Sequence, residues 1–308
     1  MRAFAPPGRL IDVGGFRLHL NCSGQGNPTV ILESALGGSS LSWSLVQPPV
    51  ARFGHVCSYD RAGFGWSDAG PLPRTASRIA EELRTLLDRG SVAPPFVLVG
   101  HSFGGLVMCI FARRYRRDVS GLVLVDPAHP EDWINPAPKE QIKIDRGIRL
   151  CRYGMSAARL GVARIVGGFA SIGALGVARG LVKVVSRGGL SREDEGILAP
   201  IWRLPLEARR PLRRFWTLPR FYEALGSQIE FISESAREAL EASADGYGDL
   251  PLVTLSSTDP GDYRIRQQEE LARLSTRGRH IVASNSGHWI PLDQPEVVIG
   301  AIRDVLSG

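Results

Sequence analysis

The sequence predicts an α/β fold, a mostly parallel sheet with helices on both faces, and three observations carry that expectation. Apolar runs of strand length alternate with helix-patterned segments through the first third of the chain. Several of those runs are continuously apolar, as strands covered on both faces are. The rhythm lapses after Pro136 and resumes at "LPLVTLSS", so one sheet is interrupted by a segment nearly free of strands.

Each element has a local reason. "RLIDVGGFRLHLNCSG" reads as a hairpin, two alternating runs around Gly14-Gly15. "PTVILES" is a buried strand bounded by Pro28 and a loop of small residues, and "HVCSYD" is another, leading into "RAGFGWSD". Residues 75–89 place Ile79, Leu83, Leu86 and Leu87 at helical spacing, with Thr75 as N-cap. Then follow "PFVLVG" (strand), "GGLVMCIFARRY" (helix) and "VSGLVLVD" (strand). Beyond the interruption come the strands "LPLVTLSS" and "RHIVASN" and the amphipathic helix "PEVVIGAIRDVL". The expected division is a core of residues 1–130 and 247–308, with a helical insertion over 131–246.

A chain of 308 residues at 44% hydrophobic can bury a large core, and 22% charged residues place it among ordinary globular proteins. The net charge of +6 is unevenly distributed. From Lys139 to Arg220 there are 17 Lys or Arg against 6 Asp or Glu, a surplus of 11, so the rest of the chain sums to −5. A basic insertion on an acidic frame predicts a separate surface role, such as attraction of anionic substrates or contact with an anionic membrane surface. Nucleic acid is not the expected partner, because no binding motif accompanies the basic residues. The longest uncharged run in the insertion, Ile165 to Ala178, is too short for a transmembrane segment. The N-terminus "MRAFAPPGRLIDVGG" has no apolar signal core, which predicts a cytoplasmic location. Cys22, Cys57, Cys109 and Cys151 are scattered without a CxxC pair, which predicts reduced, mostly buried thiols and no metal site.

The chemistry is expected at "FVLVGHSFGGL". A nucleophile that must stand clear of a sheet needs a tight strand-to-helix turn, where only small residues fit two positions before and after it. Gly100-His101-Ser102-Phe103-Gly104 supplies that Gly-x-Ser-x-Gly turn between an apolar strand and an apolar helix. A serine hydroxyl then needs a base, usually a histidine held by a carboxylate. Of six histidines, His288 lies in "NSGHWIPLDQP", after the last strand and before the last helix, at the edge where open α/β sheets bind ligands. Asp259, in "STDPGDY" one strand earlier, is suitably placed to orient it. Asp126, ending "GLVLVD", is the alternative acid, and Asp262 a weaker third. An oxyanion would be held by the backbone N–H of Phe103 and by that of Ala35 or Leu36 in the loop "ALGGSS".

These residues match a pattern. The segments "VILESALGGSSLSW", "YDRAGFGWSD", "LVGHSFGGLV", "GLVLVDPAHPE" and "SGHWIPLDQPE" resemble the α/β-hydrolase superfamily, close to its cap-bearing esterase-like members. The resemblance covers residues 9–132 and 248–307; the insertion matches nothing. It implies an eight-stranded, mostly parallel sheet with helices on both faces and an inserted helical cap, a triad of Ser102, His288 and an acid, and no cofactor. The chain departs from the pattern at the oxyanion loop, where many relatives carry His-Gly and this chain has Glu33-Ser34. It departs again at the Asp259 loop, which lacks the fuller Gly-x-x-Asp pattern. Serine at the elbow argues against haloalkane dehalogenases and epoxide hydrolases, which use aspartate there. The function expected is a serine hydrolase of carboxylic esters acting on a small, partly apolar ester or acyl substrate. The alternatives on the same triad are acyltransferase, thioesterase, amidase or cofactor-free haloperoxidase, and outside enzymes a ligand receptor. The cap is expected to supply an apolar pocket, with Trp202, Phe215, Trp216, Phe221 and Tyr222 packing against the core.

Overall fold

Eight strands form one sheet in the order β1-β2-β4-β3-β5-β6-β7-β8 in a computed structural model that describes residues 5–162, 203–258 and 261–308. The strands are β1 (Arg9–Asp12), β2 (Arg17–Ser23), β3 (Thr29–Glu33), β4 (His55–Asp60), β5 (Phe96–His101), β6 (Val119–Val125), β7 (Leu252–Ser257) and β8 (Gly278–Ala283). β1 and β2 form the hairpin expected around Gly14 and Gly15, both of which take positive φ. β2 also pairs antiparallel with β4, and every pairing from β4 through β8 is parallel. The carboxyl ends of β3, β5, β6 and β7 therefore share one edge.

Helices cover both faces, and the strands divide their side chains between them with period two. Phe96 and Leu98 of β5 and Leu122 and Leu124 of β6 join the cluster under α2 (Ala76–Arg89) and α3 (Phe103–Arg114). Val97, Val99, Val123 and Val125 turn the other way, onto the short α1 (Gln47–Val50) and the last helix, Pro295–Leu306. Thr75 caps α2, its side chain accepting from the N–H of Arg78. α3 is buried from Phe103 to Ala112, which explains why its sequence is apolar on every side.

After β6 the chain forms α4 (Pro130–Ile134) and α5 (Pro138–Arg159), then α6 (Leu206–Phe215), α7 (Pro219–Glu230) and α8 (Ile232–Ser243) before β7. No strand occurs among the described residues of this interval. Residues 163–202, including the apolar run Ile165 to Ala178 and Trp202, lie outside the described residues. α7 packs along α5, while α8 packs on α3 and α4. The Ser235 hydroxyl accepts from the N–H of Ala76, and the Glu238 carboxylate from that of Ser77, so α8 caps the start of α2 from outside. Phe215 meets Trp66 at 4.9 Å and Phe221 meets Phe64 at 5.5 Å between ring centroids, the packing against the core expected of these aromatics. The remaining elements are α9 (Gly261–Ala272), α10 (Ile290–Asp293) and α11 (Pro295–Leu306). No helix among the described residues is long and apolar enough to cross a membrane.

One expectation is corrected. Cys22 and Cys57 are not reduced thiols but a disulfide joining β2 to β4. The two are directly opposite in the antiparallel register, with Cα atoms 4.0 Å apart, a pairing made by the sheet rather than by sequence proximity. Cys109 and Cys151 are free and buried, as expected.

Candidate active site

Ser102 stands between β5 and α3 with φ 54° and ψ −120°, a backbone conformation that L-residues avoid and that surrounding contacts must enforce. Its N–H donates to the carbonyl of Val125, and its own carbonyl accepts from Ala128, so the turn is fastened to the end of β6 on both sides. The two flanking glycines are steric necessities. A Cβ on Gly100 would lie 2.5 Å from the carbonyl oxygen of Gly104, and one on Gly104 would lie 2.7 Å from the carbonyl oxygens of Glu33 and Ser34.

His288, in the loop between β8 and α10, lies over this turn. Its Nε2 is 3.0 Å from Ser102 Oγ and its Nδ1 is 2.6 Å from Asp126 Oδ2. With the carboxylate accepting from Nδ1–H, Nε2 is left with its lone pair toward the serine hydroxyl. Asp126 is 1% exposed while the His288 side chain is 36% exposed, so the acid is enclosed and the imidazole open to a ligand. Burial pushes the Asp126 carboxyl up, but the hydrogen bond and charge of His288, the charge of Arg264 and the Ser257 N–H outweigh it and hold the group below its ordinary value. Asp126 also departs from ordinary backbone geometry, with φ 39°, and its N–H donates to the carbonyl of Leu255 on β7.

Of the residues singled out from sequence, Ser102, His288 and the alternative acid Asp126 come together in one hydrogen-bonded line. Asp259 lies outside the described residues, as does the side chain of Asp262. Phe103 opens α3 directly after Ser102, and Ala35 and Leu36 follow β3. Their loop is closed by two hydrogen bonds: the Ser34 hydroxyl donates to the carbonyl of Ser39, and the N–H of Gly38 to that of Ala35. Three neighbours escaped the sequence reading. His101 is buried, and its Nε2–H donates to the carbonyl of His288 over 2.8 Å. Burial is the main force that lowers its pKa to about 3, so it is a neutral imidazole steadying the His288 loop. Asp293 accepts from the Gly287 N–H, and Ser257 donates to Asp126. Only their places at the ends of elements beside the motif residues could have marked them.

Among the described residues, one group of His, Cys and acidic side chains has metal-ligand spacing, namely Cys22, His55 and Cys57. Both its sulfurs are joined in the disulfide, which leaves no thiolate to ligate an ion.

Comparison with known proteins agrees with this architecture. The chain aligns with an esterase from Thermogutta terrifontis at a TM-score of 0.63 and 21% identity, covering 95% of this chain and 93% of that one. It aligns with an enol-lactonase from Burkholderia xenovorans LB400 at 0.63 and 20%, covering 96% and 98%. At such identity the likeness is one of fold. In sequence it is 25% identical to Epoxide hydrolase A of Mycobacterium tuberculosis, over 99% of this chain and 98% of that protein. It is 34% identical to the uncharacterized protein YqjL of Bacillus subtilis over 105 residues, 34% of this chain and 42% of that protein. The chain thus spans less than half the length of the first curated relatives it matches. The sequence profile of the alpha/beta hydrolase family matches residues 30–301, and the chain belongs to that family.

Proposed function

We propose that this hydrolase cleaves carboxylic esters through an acyl-enzyme on Ser102. The observation that carries the proposal is the line Asp126–His288–Ser102, with 2.6 Å and 3.0 Å between successive partners. His288 Nε2 takes the hydroxyl proton as Ser102 Oγ attacks the carbonyl carbon. Asp126, not Asp259, holds the imidazole in the tautomer that can accept that proton. The oxyanion sits between the N–H of Phe103 and that of Ala35 or Leu36, near the amide-rich start of α3. His288 then returns the proton to the departing alcohol. Deprotonated again, it activates a water that releases the acid.

The choice of esters is supported by the names of similar folds, an esterase and an enol-lactonase, both of which act on ester bonds. Ser102 at the elbow favours acyl chemistry over epoxide opening, despite the likeness to Epoxide hydrolase A. The segment 131–246 serves as the cap, with α8 anchoring it to the core and its basic surface drawing in anionic substrates. The test is fluorophosphonate labelling of the whole chain, followed by a chain-length series of p-nitrophenyl esters beside a thioester and an amide. Labelling lost in Ser102→Ala, with ester turnover above thioester and amide, is the expected result. A wild-type chain that resists labelling between pH 6 and 9 sinks the proposal.

A further inference from the structure

Beneath the loop after β3 lies a cluster of charged groups with no place in the mechanism above. Glu33, at the end of β3, is 1% exposed, and Arg61, just past β4, is 2% exposed. Arg61 Nε lies 3.4 Å from Glu33 Oε1, and the Tyr59 hydroxyl donates to Glu33 Oε2. Burial raises the Glu33 carboxyl above its usual range, against the opposing pull of the Arg61 charge and the Tyr59 hydroxyl. The guanidinium is also flanked by aromatic rings, 5.4 Å from the Phe103 centroid and 5.5 Å from that of Phe64. An ion pair this deep is costly to desolvate and is weak evidence for stability by itself, so the useful question is what the arginine holds.

It holds backbone. Arg61 Nη2 donates to the carbonyl oxygens of two successive residues, Ser34, at 3.0 Å, and Ala35. A planar trans peptide points its C=O and the following N–H in opposite directions. Catching the carbonyl of Ser34 therefore turns the N–H of Ala35 away from the guanidinium, and catching that of Ala35 turns away the N–H of Leu36. The carbonyl of Ala35 is caught twice, since Gly38 N–H also donates to it. A lysine could bring its one nitrogen to these carbonyls, but it lacks the second donor, Nε–H, that faces the Glu33 carboxylate and the planar cation flanked by the two rings.

We infer that Arg61 is a positioning residue that sets the oxyanion hole, fixing two peptide planes so that the N–H of Ala35 or Leu36 faces the acyl oxygen above Ser102. Glu33 and Tyr59 hold Arg61 from behind, which gives the Glu33-Ser34 departure at this loop a purpose: Glu33 is the counter-ion that lets an arginine stay buried there. The inference rests on the ester-hydrolase reading and adds the element that preorganises it. The oxyanion donors cost nothing to reorient during reaction only if something else has already oriented them.

The test uses the full chain with Arg61→Lys and the double variant Glu33→Gln with Arg61→Met. The double variant removes both buried charges together, so that no orphaned carboxylate unfolds the protein. Each is measured for kcat and KM on a p-nitrophenyl ester, for inhibition by an aryl boronic acid, whose tetrahedral adduct on Ser102 carries an anionic oxygen, and for Tm. A loss of kcat of about 100-fold or more is expected in the double variant, the size seen when one oxyanion donor is lost. KM should stay near its wild-type value, and boronate affinity should fall in step with kcat. Arg61→Lys should recover only part of the rate. A folded double variant with wild-type kcat and boronate affinity overturns the inference. So does a loss confined to Tm, or, should the double variant not fold, an Arg61→Lys variant with wild-type kcat. Wild-type protein inert to fluorophosphonate overturns the hydrolase reading and this inference with it, a result distinct from inert variants of an active wild type.

Discussion

Among the described residues two histidine–aspartate pairs stand out, and only one of the two imidazoles faces a serine hydroxyl. His19 on β2 places Nδ1 2.8 Å from Asp60 at the end of β4, and His288 places Nδ1 2.6 Å from Asp126 at the end of β6. Both acids stand at the carboxyl ends of strands of one sheet and both are almost wholly buried. The first pair is sealed: both side chains have no exposure, the imidazole lies against Trp66, and its Nε2 has no hydrogen-bond partner among the described residues. Asp60 instead serves the backbone, accepting from the N–H groups of Ser40 and Trp66. The second pair is open on the imidazole side, and its Nε2 faces Ser102. A carboxylate–imidazole pair is thus structural or chemical according to what stands at Nε2 and whether a ligand can reach it.

The sharpest way to break that contrast is to neutralise each acid in turn. Asp126→Asn is expected to cut ester kcat by about 10³–10⁴-fold, because an amide stabilises the wrong tautomer of His288. Asp60→Asn should instead cost about 1–3 kcal/mol of stability by weakening several buried hydrogen bonds, read as a lower urea midpoint. Asp259→Asn should leave kcat near wild type. If Asp259→Asn costs more rate than Asp126→Asn, the roles given to the two acids are reversed.

A third imidazole sharpens the comparison through pH. His101 lies 4.9 Å from His288, centroid to centroid, yet its folded pKa of about 3 is far below the ordinary 6.5. The unfolded chain takes up this proton near pH 6.5 and the folded chain does not, so stability falls as pH drops from 6.5 toward about 3. Urea unfolding followed from pH 7 to 4 should show a shallower fall in His101→Gln than in wild type. An identical slope would mean that this imidazole is not held neutral. The smallest effect belongs to His19→Asn, whose amide can still donate to Asp60. A modest drop in Tm with kcat unchanged is expected, and a large loss of rate would make the sealed pair part of the chemistry.

What could be read from sequence follows how local each feature is. The elbow was legible because its chemistry lies within five consecutive residues flanked by a strand pattern and a helix pattern. His288 was legible because one loop before the last helix had to carry the base. The acid was not, because Asp126 and Asp259 follow neighbouring strands, and reaching the imidazole depends on side-chain direction at a residue with positive φ. The Cys22–Cys57 bond was hidden for a similar reason, since β3 intervenes in sequence between the two strands that carry it. Arg61 left no mark because what it positions are backbone carbonyls, which every residue has.

Gly104 draws these strands together. Because its missing side chain lets the carbonyls of Glu33 and Ser34 come against the first turn of α3, the distance between the two walls of the proposed oxyanion hole is set by the absence of one methyl group. The position is a spacer of zero thickness, and alanine there would act as a shim. It would widen the hole by pressing on the carbonyls of Glu33 and Ser34, without replacing the serine that attacks or a residue that donates to the oxyanion. For an engineer, that makes Gly104 a dial for the geometry of the site and Arg61 the clamp that must be loosened before the dial can turn.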